Sequence, residues 1–376
     1  MNVQLDNFGV LQIEPTDLCN LSCRMCIPHF EKHPQIHGVP KGVMDPQLFE
    51  RIIRGLVEED CRFDHVILQW LGDPSLHPDL PKLVGLAAEG LVGRAKYLRV
   101  DTNAITLTPR RMDAIVNAWV PHRELPLLLV FTIDAATQKT YGVVKGQSAL
   151  DRVRKHIRHL VVRRAALGFE HVSLNIQLQF VVQKENADEA GAFLHYWRSF
   201  LRCHAGGVGH DEILFKRLSV AAGGEGQAEA DRLYEDTMRR FDIRPESSDG
   251  VHVLVWENRP WEHDDEQQAA PRQPCPGLWM TPVIRHDGAL VMCCADLQSD
   301  LVLGNLREQS FKALWNSSTA RARRIAHIEG RFSDVGPCAD CGGINWYGMP
   351  AETVRDWLES ADAMSAWDTY ASRMRQ

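Results

Sequence analysis

Three cysteines stand within one short stretch, Cys19, Cys23 and Cys26, in the spacing C-x3-C-x2-C. They follow an apolar, strand-like run at 9–13. Three thiolates can hold three irons of a cubane [4Fe–4S] cluster and leave the fourth iron open. Such clusters ordinarily take four cysteines, so something else must fill the last position. An open coordination position is how a metal site reserves room for chemistry. A zinc site would want a fourth ligand from His29, His33 or His37, and the spacing is not that of a common zinc finger. Three clustered cysteines cannot all pair as disulfides. Residues 1–8 also lack the basic and apolar regions of a secretory signal.

The triplet resembles the cluster motif of the radical S-adenosylmethionine (radical SAM) enzymes. The resemblance implies that SAM chelates the open iron and is cleaved to a 5′-deoxyadenosyl radical, which takes a hydrogen atom from the substrate. Further segments match that family in order. Leu71-Gly72-Asp73-Pro74 resembles its Gly-Gly-Glu-Pro loop, whose backbone binds the SAM ammonium group; Leu71 and Asp73 depart from the pattern. Thr102 and Asn103 are similar to its Thr-Asn segment, and Thr132, Ile133 and Asp134 to its Ser-Ile-Asp segment. Their polar side chains would reach the SAM carboxylate and ribose; read singly, each is also a good cap or turn former. Gln177 and Gln179 share one strand face by period two and would contact SAM or substrate. Met25 stands where the family often places an aromatic residue beside adenine, and a thioether can pack on a ring. Pro28, His29 and Phe30 lie just beyond.

A second cysteine set follows from Cys275. Cys275, Cys293, Cys338 and Cys341 include a C-x2-C pair and can close a four-ligand site, for a cluster or for structural zinc. The set resembles the SPASM/Twitch extensions of radical SAM enzymes. No cysteine follows Cys341, which implies one auxiliary [4Fe–4S] cluster with four protein ligands, suited to electron transfer. Adjacent strand residues face opposite ways, so only one of Cys293 and Cys294 is expected to ligate; the G-x4-C spacing from Gly288 favours Cys293. Cys294 and Cys203 are candidate hydrogen-atom donors. Cys61 reads as a small buried hydrophobe.

These residues need a scaffold that brings strand ends together. Strand patterns at 11–14, 65–70, 97–101, 127–134, 172–182 and 212–218 alternate with helical patterns at 46–59, 79–91, 108–119, 148–167 and 187–202. Asp45-Pro46 and Thr108-Pro109 are good helix starts. Alternation of this kind reads as βα units around a parallel sheet, and the resemblance implies an α/β fold: a partial (β/α)6 TIM-type barrel followed by a small cysteine-rich α+β domain. The expected division is barrel 1–218, bridge 219–274 and auxiliary-cluster domain 275–376. Within the bridge, 221–227 is a connector, 228–241 is helical and 251–256 strand-like. The cysteine-rich region begins with a hairpin turning at His286, Asp287 and Gly288.

The 376 residues are 44% hydrophobic and 24% charged, ordinary for a soluble globular protein. No run approaches a membrane span. The net charge of −7 argues against broad nucleic-acid or membrane-surface binding; the basic stretch 152–164 has the periodicity of a surface helix. Ten cysteines without a signal favour a reducing, cytoplasmic setting. The resemblance therefore implies a radical SAM oxidoreductase. It would dehydrogenate a small polar metabolite, an aminocyclitol or sugar, in a natural-product pathway, using an external electron donor such as flavodoxin or ferredoxin. Lys216 and Arg217 would orient the substrate or remove its proton. Epimerisation with a cysteine donor, maturation of a ribosomally made peptide, and a cluster-bearing scaffold are the alternatives. The scaffold would need no SAM-side loops.

Overall fold

The computed structural model describes residues 7–26, 39–168, 173–203, 211–219, 225–248, 250–256, 272–339, 341 and 348–375. Pro28, His29, Phe30, His33, His37, the loop 204–210, most of the connector at 221–224 and the polar stretch 257–271 lie outside them. Eleven strands are present among the described residues: β1 (Val10–Ile13), β2 (His65–Ile67), β3 (Leu98–Thr102), β4 (Leu127–Thr132), β5 (Leu174–Val181), β6 (Asp211–Lys216), β7 (Glu246–Ser248), β8 (Val251–Val255), β9 (Val283–Ile284), β10 (Ala289–Val291) and β11 (Val302–Asn305). They form one sheet in the order β11-β10-β9-β1-β2-β3-β4-β5-β6-β8-β7. Every pair from β1 through β6 to β8 is parallel. This is the mostly parallel, open α/β sheet of a partial barrel.

The strands form because alternate residues are apolar. Leu98, Val100, Leu127, Leu129, Phe131, Ile176, Leu178, Phe180, Ile213 and Phe215 are all fully buried. They make up the face covered by the helices that connect the strands. Alternate positions on the opposite face carry Arg99, Asp101, Thr132, Gln177, Gln179, Glu212 and Lys216. Register puts Asp101, Val130, Gln177 and Glu212 on one level across four strands. A polar layer therefore runs across the inside of the sheet.

The helices start where capping chemistry predicts. The Asp45 carboxylate accepts from Gln47 N at 2.7 Å to open helix Pro46–Glu58. Thr108 Oγ1 accepts from Arg111 N at 3.5 Å to open helix Pro109–Trp119. Helix Leu150–Ala166 buries Val153, Ile157, Leu160 and Val161 and turns Arg152, Lys155 and Arg158 outward, while Arg164 is buried and grips the buried Asp211 through two bonds of 2.6 Å. One helix, Gln138–Lys145, is absent from the sequence reading. It has only two turns, too few to display a period, and its signals are the Thr137 cap and Gly146 in the left-handed region at φ 75°.

The segment between the two cysteine regions also contributes structure: β8 extends the parallel sheet beside β6, and β7 returns antiparallel at its edge. At the other end, β9 lies parallel to β1, with Gln12 opposite Val283 and Ile13 opposite Ile284. β10 and β11 continue antiparallel. The hairpin turn falls at Gly288 (φ 90°), where Gly288 N donates to Arg285 O at 2.8 Å. Phe8, Phe63, Phe311 and Trp315 pack as one aromatic cluster, with Phe8 and Phe311 centroids 5.0 Å apart. Among the described residues no helix is long and apolar enough to cross a membrane.

Candidate active site

The loop bearing Cys19, Cys23 and Cys26 leaves the end of β1 and is held by three neighbours. Asn103 Nδ2 donates to Asn20 Oδ1 at 2.8 Å. Arg24 N donates to Val144 O at 3.1 Å. Gly146 presses so close that a Cβ there would stand 2.4 Å from Ser22 Oγ. Burial, with Asp73 nearby, pushes the Cys19 thiol up to about 12. Burial also raises Cys23, and the Lys145 ammonium opposes that rise. Cys23 and Cys26 both act on Cys19, so the three sulfurs share one field. Such thiols stay protonated until a metal displaces the protons. Met25 Sδ lies 3.2 Å from Gln183 Nε2, a neighbour the sequence reading missed.

The loop after β2 is clasped against this segment. A Cβ on Gly72 would stand 2.2 Å from Thr16 O, so only glycine fits. Asp73 N donates to Leu18 O at 2.8 Å. The Asp73 carboxylate does not point outward as a free ligand. It accepts from Ser75 N (2.9 Å), Ser75 Oγ (2.5 Å), Thr102 Oγ1 (2.9 Å) and Asn103 N (2.7 Å). Asp73 thus bolts the loop after β2 to the loop after β3, while Pro74 opens a short 3-10 turn. Asp134, in the left-handed region at φ 58°, spends its carboxylate similarly. Its oxygens accept from Lys145 Nζ at 2.5 Å and from Val181 N at 2.6 Å. Lys145 and Asp134 are both buried, and nothing in the sequence marked this lysine as an interior residue. Thr132 sits level with Gln179 across the β4–β5 pair.

Inside the sheet, Gln179 Nε2 donates to Gln177 Oε1 at 2.6 Å, and Gln177 Nε2 donates to Glu212. Arg99 grips Asp101 through two bonds of 2.6 Å. Lys216 Nζ lies 5.1 Å from the Trp256 ring centre. Burial, and then the Arg99 charge, pull the Lys216 amine below the ordinary lysine range. The sequence reading missed Arg99, Glu212 and Trp256; their period-two placement on inward faces was the available signal. Arg217 turns the other way, to Asp231, Glu235 and the Tyr234 ring on helix Glu225–Arg240. It belongs to an ion-paired rim rather than to the interior. Cys203 caps helix Ala190–Arg202 and is exposed. That helix leads back to the start of β6, the end of the sheet opposite the strand ends that carry the site. This placement removes Cys203 as a hydrogen-atom donor.

Two members of the second cysteine set, Cys275 and Cys293, flank Gly277. A Cβ there would stand 3.3 Å from Cys275 Sγ and 3.5 Å from Cys293 Sγ. Gly277 N donates to Cys275 Sγ, and Ala295 N to Cys293 Sγ, each at 3.4 Å. Cys338 feels Cys293, Cys341 and Cys275. The expectation that Cys293 and Cys294 face apart fails, because β10 ends at Val291 and both cysteines lie in the turn beyond it. The two thiols act directly on each other, which lowers the Cys293 thiol below its ordinary range and raises Cys294 above it. Among the described residues no three histidine, cysteine or carboxylate side chains close on a single metal ion. In an iron–sulfur cluster each cysteine binds a different iron, so the sulfurs of one set need not meet at a single point.

Residues 13–173 match the family model of the Radical SAM superfamily, and residues 275–342 match SPASM, an iron–sulfur cluster-binding domain. The chain belongs to the radical SAM superfamily. It carries a C-terminal SPASM domain, and its cofactors are SAM, a SAM-binding [4Fe–4S] cluster and an auxiliary iron–sulfur cluster. Among curated relatives, the tungsten-containing aldehyde ferredoxin oxidoreductase cofactor-modifying protein of Pyrococcus furiosus is 25% identical over 328 residues, covering 82% of this chain and 80% of that protein. The GTP 3′,8-cyclase of Vibrio atlanticus is 24% identical over 190 residues, covering 50% of each. The chain thus spans about half the length of the cyclases it matches. The structure of anSMEcpe with bound AdoMet aligns at a TM-score of 0.55 and 14% identity, over 96% of this chain and 98% of that one, a likeness of fold.

The residues present fit both clusters of this radical SAM protein. Three half-buried thiols sit beside a glycine-clasped loop with one iron's worth of coordination left to SAM. Cys275 and Cys293 flank a glycine and accept N–H···S bonds, which tune cluster potential, and Cys338 lies within electrostatic reach of Cys275, Cys293 and Cys341.

Proposed function

We propose that this radical SAM enzyme oxidises a hydroxyl-bearing carbon of a small polar metabolite, an aminocyclitol or sugar-like molecule, to a carbonyl. The observation that carries the reading is the polar layer across the inside of the sheet, with the depressed Lys216 amine above it. When bound, SAM and its cluster supply a 5′-deoxyadenosyl radical that removes a hydrogen atom, and the auxiliary cluster supplies an acceptor for one electron.

The protein's own residues do the rest. The Gln179–Gln177–Glu212 chain fixes the Glu212 carboxylate as an acceptor for substrate hydroxyl or ammonium groups. The Arg99 fork holds Asp101 in the same layer. Lys216, closer to neutral than an exposed lysine, takes the hydroxyl proton. The substrate carbon gives up one hydrogen atom, its oxygen one proton, and one further electron leaves. That balances as a two-electron oxidation of an alcohol.

The test is turnover of a panel of aminocyclitols and amino sugars by reconstituted protein with SAM and an external reductant. One 5′-deoxyadenosine per ketone is expected, with no added hydride acceptor. Full activity after Cys19→Ala would sink the reading. Solvent deuterium at the reacting carbon would mark epimerisation instead, and turnover confined to peptides would mark maturation.

A further inference from the structure

The loop at 70–74 is anchored from the opposite end of the chain. Trp70, only 8% exposed, donates its indole Nε1–H to the backbone oxygen of Cys294 at 3.0 Å. Leu71 donates its backbone N–H to Glu14 Oε1 at 3.2 Å. Glu14 is fully buried, and its other oxygen accepts from His286 N at 3.4 Å and His286 Nδ1 at 3.2 Å. His286 belongs to the turn between β9 and β10. Cys294 follows β10 and adjoins Cys293, one of the four distal cysteines. Thr281 Oγ1 accepts from Cys294 N at 3.4 Å, so the turn that carries Cys293 also aims the carbonyl that Trp70 uses. On its other side the loop is clasped to the first cysteine segment through Gly72 and Asp73. A single short loop therefore touches both cysteine regions.

We propose that Trp70 and Glu14 are positioning residues through which filling the four-cysteine site sets the SAM-binding loop. Cluster ligation at Cys293 orders the turn at 292–296 because metal binding and local folding are linked. The ordered turn presents the Cys294 carbonyl to Trp70, and the β9–β10 turn holds Glu14 against Leu71. Both anchors place the backbone of Leu71 and Gly72 where the SAM ammonium group is to be received. Coupling of this kind is reciprocal: SAM at the first site favours the filled second site by the same factor. The inference does not depend on which substrate the enzyme oxidises.

The test is SAM affinity, measured by equilibrium dialysis on reconstituted full-length protein. Four proteins form a cycle: wild type, Cys338→Ala/Cys341→Ala, Trp70→Phe and the combination. Electron paramagnetic resonance of the reduced SAM-side cluster, and its change on adding SAM, verifies that this cluster is loaded in each. Loss of the distal cluster should weaken SAM binding about 5- to 20-fold in the wild-type background. In the Trp70→Phe background the same loss should change it by no more than about 2-fold. Equal weakening in both backgrounds, or none in either, overturns the proposal. Should Trp70→Phe not fold, Glu14→Gln replaces it under the same criterion, since Gln keeps an acceptor for Leu71 N–H and loses the charge facing His286.

Discussion

Lys216 lies among Arg99, Asp101 and Asp134, and burial dominates its shift. Its folded pKa is below the ordinary 10.5, and the base form is the neutral amine. Turnover should therefore rise with pH through a value below 10.5. Lys216→Met should cut product formation by roughly 10²- to 10⁴-fold while 5′-deoxyadenosine still forms, measured by quantifying both in one reaction. Lys216→Arg should not restore it, because arginine stays charged. His65 gives a stability prediction. It stacks on Tyr97 with ring centres 4.5 Å apart, and burial, then Arg99, pulls it down to about 4. Above pH 6.5 it is neutral folded or unfolded and contributes nothing. Between 6.5 and about 4 the unfolded chain binds the proton and the folded chain does not. Stability is thus lost as pH falls through that window. His65→Phe, which keeps the stacking, should flatten that part of a melting-temperature profile. Asp73 shows how far residue type alone was informative: it marked the loop, but its four protein donors could not be read from a motif.

Helix Gln138–Lys145 illustrates the element scale. It was not legible in sequence, yet its end presses Gly146 on Ser22 and places Lys145 beside Cys23. Gly146→Ala meets both a left-handed φ and the Ser22 contact. It should cost more than about 1 kcal/mol and lower iron loading at the first site while the distal site stays filled. Iron content in the Gly146→Ala protein and in its Cys338→Ala/Cys341→Ala derivative separates the two sites. Lys145→Met leaves the buried Asp134 charge without its cation and should destabilise by about 3–5 kcal/mol. The double variant Lys145→Met/Asp134→Asn should recover much of that in chemical denaturation, because no lone charge remains. The longer helices were legible because their caps and apolar stripes span three or more turns. A two-turn helix in a crossover offers neither.

At the scale of the whole molecule, β9 sits against β1 and the aromatic cluster joins Phe8 and Phe63 to Phe311 and Trp315. The first and last regions of the chain thus share one sheet and one core. Phe311→Ala removes a buried ring from that junction and should cost about 3–5 kcal/mol. Calorimetry should show the loss across the whole unfolding transition; an early, separate melt of the C-terminal region alone would count against the shared core. The parallel direction of β1 to β6 followed from alternation of strand and helix patterns, whereas their sequential order was implied only by the family resemblance. The placement of β9 beside β1 followed from neither, because a two-residue strand carries no period and its partner lies some 270 positions away.

The sequence by itself determined the chemistry class. Cysteine spacing is a local property, and C-x3-C-x2-C with an open fourth ligand already implies a cluster with a vacant iron. It determined the βα scaffold for a similar reason, since helix and strand periods are written in neighbouring residues. Only the tertiary structure decided what the polar side chains do. Asp73 and Asp134 are spent on the protein, Arg217 faces outward, Cys203 lies at the wrong end, and Cys294 leans on Cys293. It also decided that Glu14, Trp70, Lys145 and Glu212 stand at the site. Each of those assignments depends on which residues meet across the sheet, and contacts between distant segments leave no mark in the spacing of near ones.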